Sequence, residues 1–241
     1  MGHQKVVSAE EAMQVIKDED FLAIQGSGGG VGETTLLLKT LGERFQQEGS
    51  PRNLTICHST GIGNQKDTGT NYLAFPGLVK RDIAGHLGMA PNMAQMVLND
   101  EIEAYNFPQG VLSRMYSAIA ANTPGIITKV GLHTYVDPRI EGGKMNAITT
   151  DDLVKVIELD GEEWLYWPKF HLNVAFVKGT TADTKGNITS EEEGAFLEGI
   201  AIAQATKNCG GIVIAQVKYL AQAGTLNPQH VRIPGIYVDY V

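Results

Sequence analysis

The 241-residue chain is poor in cysteine, in positive charge and in long apolar runs, and each shortage removes a class of protein. Its two cysteines, Cys57 and Cys209, stand far apart. They are too few for a disulfide scaffold and lack the C-x-x-C spacing of a metal site, so a reduced, cytoplasmic protein is expected. Lys and Arg number 19 against 27 Asp and Glu, a formal charge of −8, with no basic run to concentrate the positive side chains. Binding to nucleic acid needs such concentration, so no nucleic-acid partner is expected. No stretch approaches the roughly eighteen uninterrupted apolar residues of a membrane span. The start, Met1-Gly2-His3-Gln4-Lys5, shows no apolar core of a signal peptide. The six histidines (His3, His58, His86, His133, His171, His230) have no metal-ligand spacing, and no metal site is expected.

Hydrophobic residues make up 43% of the chain and charged residues 19%, enough apolar surface to bury a core. The 28 glycines amount to roughly 12% against the usual ~7%. They follow no period, which excludes collagen, and gather in loops, where they permit tight turns and close backbone approach.

Along the chain, short apolar runs alternate with amphipathic segments. Ser8-Ala9-Glu10-Glu11 reads as a capping box, with Ala9, Ala12, Met13 and Ile16 on one helical face. Phe21–Ile24 reads as a buried strand, Gly26–Gly32 as a loop, and Glu33–Phe45 as a helix. Leu54–Cys57 is the next strand. A helix at Ala90–Asn99 precedes a strand at Ile102–Tyr105. A turn at Pro108-Gln109-Gly110 opens a helix over Val111–Ala121. Leu153–Leu159 and Glu163–Trp167 flank Asp160-Gly161, a hairpin signal. Leu172–Val177 and Ile212–Val217 are further strands around a helix at Glu193–Lys207, which Gly210-Gly211 stop. The expected architecture is α/β: a mainly parallel sheet flanked by helices, with an added antiparallel hairpin, residues 1–241 forming one domain. The last residues, Ile233–Val241, look strand-like. Such an ending favours continuation of the fold by another segment of polypeptide, the alternative being a terminal strand tied into the sheet.

Gly26-Ser27-Gly28-Gly29-Gly30-Val31-Gly32 lies between a strand and a helix, where backbone N–H groups and the helix dipole hold anions in α/β proteins. A phosphate-binding P-loop is excluded, because Glu33 stands where its lysine would and Ser27 where its first glycine would. The G-x-G-x-x-G dinucleotide fingerprint fails at Val31. A ligand loop free of bulky side chains remains, against the alternative of a plain flexible turn. Cys57 and His58 are neighbours on a strand and point to opposite faces, so Cys57 reads as a buried structural thiol. His86, between glycines, lines a cleft or serves as a hydrogen-bonded loop residue. Glu191-Glu192-Glu193 read as acidic residues opening a helix. Gln109 is either an exposed turn residue or an amide able to donate to a developing oxyanion.

Several longer segments go further. Lys129-Val130-Gly131-Leu132-His133-Thr134-Tyr135-Val136-Asp137-Pro138-Arg139, Gly142-Gly143-Lys144 and Ala182-Asp183-x-x-Gly186-Asn187-Ile188-Thr189 resemble the acetate/propionate type of family I CoA-transferases. So do Glu103-Ala104-Tyr105-Asn106-Phe107-Pro108-Gln109-Gly110 and the tail Val231–Val241. The resemblance runs in order over nearly the whole chain, but only to the family's first half. It implies transfer of CoA between a short-chain acyl-CoA and a free carboxylic acid. A glutamate attacks the thioester and a glutamyl-CoA thioester forms, with the oxyanion held by preorganised donors. It implies no metal or redox cofactor, with the CoA thioester as substrate.

In the family the glutamate and most of the CoA site lie in the second half. The resemblance therefore places no catalytic residue in this chain and implies a β half as partner, within an oligomer. Carried over as substrate-binding residues are Gly28, Gly29, Gly30, Gln109 and Gly110, with Gln109 as amide donor. In Gly61-Ile62-Gly63-Asn64-Gln65-Lys66-Asp67-Thr68-Gly69, relatives commonly have glutamine where Ile62 stands and arginine where Thr68 stands. That departure bears on which acid is preferred. Two other readings remain: a non-catalytic module that binds a small carboxylate or a protein, and a hydrolase or ester-forming relative.

Overall fold

The computed structural model describes residues 5–241; Met1–Gln4, on which the reading of the chain's start rests, lie outside the described residues. In chain order the elements are α1 (Ala9–Met13), β1 (Phe21–Ile24), α2 (Thr35–Glu48), β2 (Leu54–His58), β3 (Val79–Ala84), α3 (Pro91–Leu98), β4 (Glu103–Asn106) and α4 (Gln109–Ala120). Then come β5 (Gly125–Thr128), β6 (Lys155–Leu159), β7 (Glu162–Pro168), β8 (Val174–Lys178), β9 (Thr181–Asp183), β10 (Ile188–Thr189), α5 (Gly199–Asn208), β11 (Ile212–Gln216), β12 (Tyr219–Ala221) and β13 (Val231–Ile233). Six strands form a wholly parallel sheet in the order β11-β8-β1-β2-β3-β4. A three-stranded antiparallel sheet, β5-β7-β6, and a small sheet, β12-β9-β10-β13, are added to it.

The central strands are apolar on both faces, as a sheet covered twice must be. Leu22 and Ile24 of β1, Ile56 of β2, Val174 and Phe176 of β8 and Ile214 of β11 share one core with Met13, Leu38, Leu41, Met93 and Val97 from α1, α2 and α3. The alternate residues Ala23, Cys57, Ala175, Val177, Val213 and Ala215 share the other with Leu112, Met115 and Ile119 of α4 and Ile202 and Ala203 of α5. The small side chains on that second face let α5 lie close over β8 and β11.

The added antiparallel sheet is anchored by aromatic rings. Trp167 meets Phe107 edge to face at 4.7 Å, and Phe107 meets Tyr105 at 5.3 Å. The Asp160-Gly161 turn joins β6 to β7 with both residues at positive φ, as a two-residue hairpin turn requires.

Some expectations are corrected. The helix read at Glu193–Lys207 begins only at Gly199. Glu191, Glu192 and Glu193 lie in the preceding loop, where each has a side-chain partner: Thr181, Lys218 and Lys178 respectively. Gln109 and Gly110 form the first turn of α4 rather than a turn before it. The strand-like tail is not one continuous strand: Ile233 ends β13, and only the last residues return to pairing, beside β11. Gly235–Tyr237 form a 3-10 turn, and Tyr240 bridges Ile214. The sequence does not mark β3 as a strand, because Lys80, Arg81 and Asp82 interrupt its apolar pattern. Arg81 is an ion-pair partner of Glu103 and Asp151, and Asp82 of His58.

α2 is packed so tightly that a Cβ on Gly42 would lie 2.1 Å from the Tyr72 carbonyl oxygen. A Gly→Ala change gains about 1 kcal/mol of helix propensity. Overpacking against backbone costs about 1–3 kcal/mol. Gly42→Ala is therefore expected to destabilise the fold, read as a lower urea midpoint at unchanged slope.

Candidate functional site

In a parallel sheet, ligands bind beyond the carboxyl ends of the strands, where successive connections leave in opposite directions. Here that point lies between β1 and β8: the chain proceeds from β1 toward β2 and from β8 toward β11. Buried Gln25, one residue past β1, ties the two strands together. Its backbone N–H donates to Phe176 O at 3.0 Å, and its Oε1 accepts from Lys178 N at 3.0 Å. Above it the chains part around a cleft of about 480 Å³. Gly29, Gly30, Val31 and Gly32 line one side. Lys178, Thr180, Glu192–Gly194 and Gln216–Lys218 line the others.

The glycine loop has the open backbone that its sequence implies. Gly29 (φ 76°) and Gly30 (φ 85°) are left-handed, and a Cβ on either would meet nothing within 4 Å. Gly28 instead lies against Met89. The loop is fastened at both ends: Ser27 N donates to Val31 O at 2.8 Å, and Gly29 N donates to Gly63 O at 3.0 Å. Thr60 Oγ1 donates to Gly26 O at 2.7 Å.

The N-terminus of α2 does not stand free behind this loop. Gln216 Oε1 accepts from the N–H groups of Leu36 at 3.0 Å and Leu37 at 3.4 Å. Two of the amides that a phosphate would need are thereby taken.

Gln109 and Gly110 lie at the carboxyl end of β4, three strands from β1 and so roughly 14 Å across the sheet. Gln109 is exposed and close to the loop after β3: a Cβ on Gly85 would approach its Cβ to 3.5 Å. Gly110 lines a separate apolar hollow with Val111, Arg114, Ile126, Thr128 and Val130. The carried-over residues therefore share one rim of the sheet but not one cavity. Ile62 is buried and points beneath Gly26, so its departure from the relatives' glutamine acts on loop packing. His86 is exposed, with Nδ1 accepting from Gly88 N at 3.0 Å.

Buried ionisable groups support this rim from below. His58, the last residue of β2, and Asp82, within β3, form an ion pair at 3.1 Å, with His58 Nδ1 also against Thr60 O. Burial pushes the imidazole pKa down, but the Asp82 charge and the hydrogen bonds outweigh it, and the net shift is upward. Burial drives the Cys57 thiol up to about 12, so it is inert at neutral pH. Glu33 is almost fully buried, and its pKa is raised chiefly by desolvation. Among the described residues no group of His, Cys, Asp and Glu could hold a metal ion, and no helix is long and apolar enough to cross a membrane.

Gln25, Lys178 and Gln216 were not singled out from the sequence, although each ends or follows an apolar strand run, which is the signal that a parallel sheet offers. Glu33 stands out in the sequence only as the wrong residue for a P-loop. Two of the longer motifs hold turns together. Asp137 accepts from His133 N and from Arg139, which reaches Glu163 on the hairpin. Asp183 holds the turn at Lys185 and Asn187, and Asn187 Oδ1 accepts from Gly235 N.

The chain belongs to the Coenzyme A transferase family, whose sequence model matches residues 6–241. It is 44% identical over 240 residues to acetate CoA-transferase YdiF of Escherichia coli O157:H7, covering 100% of this chain and 45% of that protein. The crystal structure of YdiF as a thioester complex with CoA superposes with a TM-score of 0.96, over 99% of this chain and 46% of that one. Caffeate CoA-transferase of Acetobacterium woodii is 46% identical over 98% of this chain and 45% of its own length. Acetate CoA-transferase subunit alpha of E. coli K12 is 26% identical over 98% of this chain and 96% of its own. The chain thus spans about half the length of its nearer relatives and nearly the whole of an alpha subunit.

Two outcomes follow for the buried groups. Alkylation of the native protein is expected to label Cys209 alone, with Cys57 reacting only after unfolding, read by intact mass. Removing one partner of a buried ion pair is strongly destabilising, by about 3–5 kcal/mol, and Asp82→Ala is expected to show that loss in urea. Because the folded pKa of His58 is raised, its contribution is complete below the unfolded value and fades as pH rises through the folded one. Wild-type stability should carry that fall, and the variant should lack it.

Proposed function

We propose that this chain, as a single α-half domain, works with a β half as an acyl-CoA:carboxylate CoA-transferase. The pair moves CoA between a short-chain acyl-CoA and a free carboxylic acid in the cytoplasm, within an oligomer. The observation that carries this reading is the likeness over the whole chain to YdiF, at 44% identity and a TM-score of 0.96. The glutamate that takes up CoA as a thioester belongs to the β half. This chain supplies the acyl-side surface: the open backbone of Gly28–Gly30 and, further along the rim, Gln109 with Gly110.

Attack on a thioester places negative charge on the carbonyl oxygen, and preorganised N–H donors stabilise that charge more than the ground state. The exposed left-handed segment Gly29-Gly30 can approach a ligand without obstruction. The side-chain amide of Gln109 has no partner among the described residues and can turn toward a ligand that spans the rim.

The test is exchange of labelled acetate with acyl-CoA in the protein assembled from both halves. Ping-pong kinetics are expected, with a CoA adduct on a glutamate of the β half trapped by mass spectrometry. No exchange in the assembled protein overturns the transferase reading in favour of a non-catalytic carboxylate-binding module. Steady CoA release without an acceptor acid makes it a hydrolase. Loss of one oxyanion donor lowers kcat by about 10²–10³-fold, the effect expected for Gln109→Ala. A change in KM alone would assign Gln109 to binding.

A further inference from the structure

Glu33 follows the first glycine loop, and its setting is unusual for a carboxylate. It lies at the end of the Gly26–Gly32 loop, two residues before α2 begins, and is only 1% exposed. One oxygen, Oε1, accepts from Thr35 Oγ1 at 3.0 Å, while Oε2 is buried with no full hydrogen bond. The backbone amides of Gly63 and Gly69, in the second glycine loop, approach the carboxylate. Those two glycines lie against each other: a Cβ on Gly69 would fall 2.5 Å from Gly63 N. On the other side is Lys178 of β8, whose ammonium lies 3.7 Å from Glu193. Gly63 also receives the hydrogen bond from Gly29 N. The two loops are therefore joined by the hydrogen bond from Gly29 N to Gly63 O, with the amides of Gly63 and Gly69 near the Glu33 carboxylate but short of a hydrogen bond.

We propose that Glu33 is the positioning residue of the cleft: its buried carboxylate holds the Gly61–Gly69 loop, which through Gly63 sets the backbone of Gly29 and Gly30 at the cleft wall. A carboxylate suits this role because both its oxygens accept, whereas an amide has one acceptor oxygen and turns an NH2 donor toward either Thr35 or the glycine N–H groups. Burial raises the Glu33 pKa, opposed by Thr35, the Gly69 amide, Lys178 and the Gly63 amide. The charged form is thus held at an energetic disadvantage. The functional consequence rests on the transferase reading above; the clasp itself does not.

The test is Glu33→Gln, read in two ways. In wild type, the amide resonances of Gly63 and Gly69 are expected to titrate together, with a midpoint above the ordinary glutamate range. Glu33→Gln should abolish that titration and shift the Gly29 amide. In the assembled protein, displacement of a site by a change outside it lowers kcat/KM on the order of tenfold to a hundredfold. That fall is expected for exchange with acyl-CoA and acetate. Should Glu33→Gln fail to fold, Thr35→Val removes the hydroxyl partner and leaves the carboxylate, so the midpoint at the two glycines should rise. Glycine amides that do not titrate, or that keep their titration in Glu33→Gln or the same midpoint in Thr35→Val, overturn the proposal, as does an unchanged kcat/KM. If wild type shows no exchange at all, the transferase reading fails, and the glycine resonances still decide whether Glu33 holds the loops.

Discussion

The molecule depends on a parting of strands that one side chain makes possible. β1 and β8 are neighbours with connections leaving in opposite directions, so their carboxyl ends open and two rows of backbone groups lose their partners. Gln25 closes the bottom of that opening, accepting from Lys178 N after its own N–H has continued the ladder to Phe176. It is buried, so water cannot perform this service. Its neighbours are shaped around it: a Cβ on Gly199, the first residue of α5, would fall 2.4 Å from Gln25 Oε1. The late start of α5 and the glycine at that start are thus two sides of one packing requirement. The acidic stretch before it is left as a loop along the cleft.

The rest of the fold brings rigidity to that opening. Alternation along β1, β2, β8 and β11 divides the sheet into two dry faces, and helices on both hold the strand ends in place. The motifs that identify the family lie largely outside the cleft. Asp137 and Arg139 lock a turn to the added hairpin, and Asp183 and Asn187 lock another to the tail. Specific sequence patterns of this kind mark buried or hydrogen-bonded turns as readily as they mark chemistry. The layout also explains how Gln109 comes to the rim: β4 ends at Asn106, and α4 begins three residues later.

Much of this was legible in the amino-acid sequence where one local rule governs a segment. Phe21–Ile24 followed, after Gln25, by seven loop residues rich in glycine is a strand meeting an open turn in either description. Asp160-Gly161 could be little other than a hairpin turn. What escaped reading was set by partners remote in sequence. β3 is a central strand, yet it carries Lys80, Arg81 and Asp82, because Glu103 and Asp151 receive Arg81 and His58 receives Asp82. Glu191–Glu193 suit a helix start by charge, but Thr181, Lys218 and Lys178 hold them outside the helix. Of the site, the glycine loop was visible. The residues that shape it, Gln25, Gln216 and Glu33, were not, because a polar side chain declares its role only when its buried partner is known.

The charges around the cleft narrow what it suits. Its two lysines, Lys178 and Lys218, are matched by Glu193 and Glu192, and Glu33 lies beneath. The nearest helix N-terminus is already occupied by Gln216. A phosphate group would find neither excess positive charge nor a free row of helix amides, the two features that phosphate sites share. An uncharged thioester carbonyl needs neither. It needs a close approach of backbone, and donors whose value grows only as negative charge develops on oxygen. Gly29 and Gly30 offer that approach with no side chain in the way.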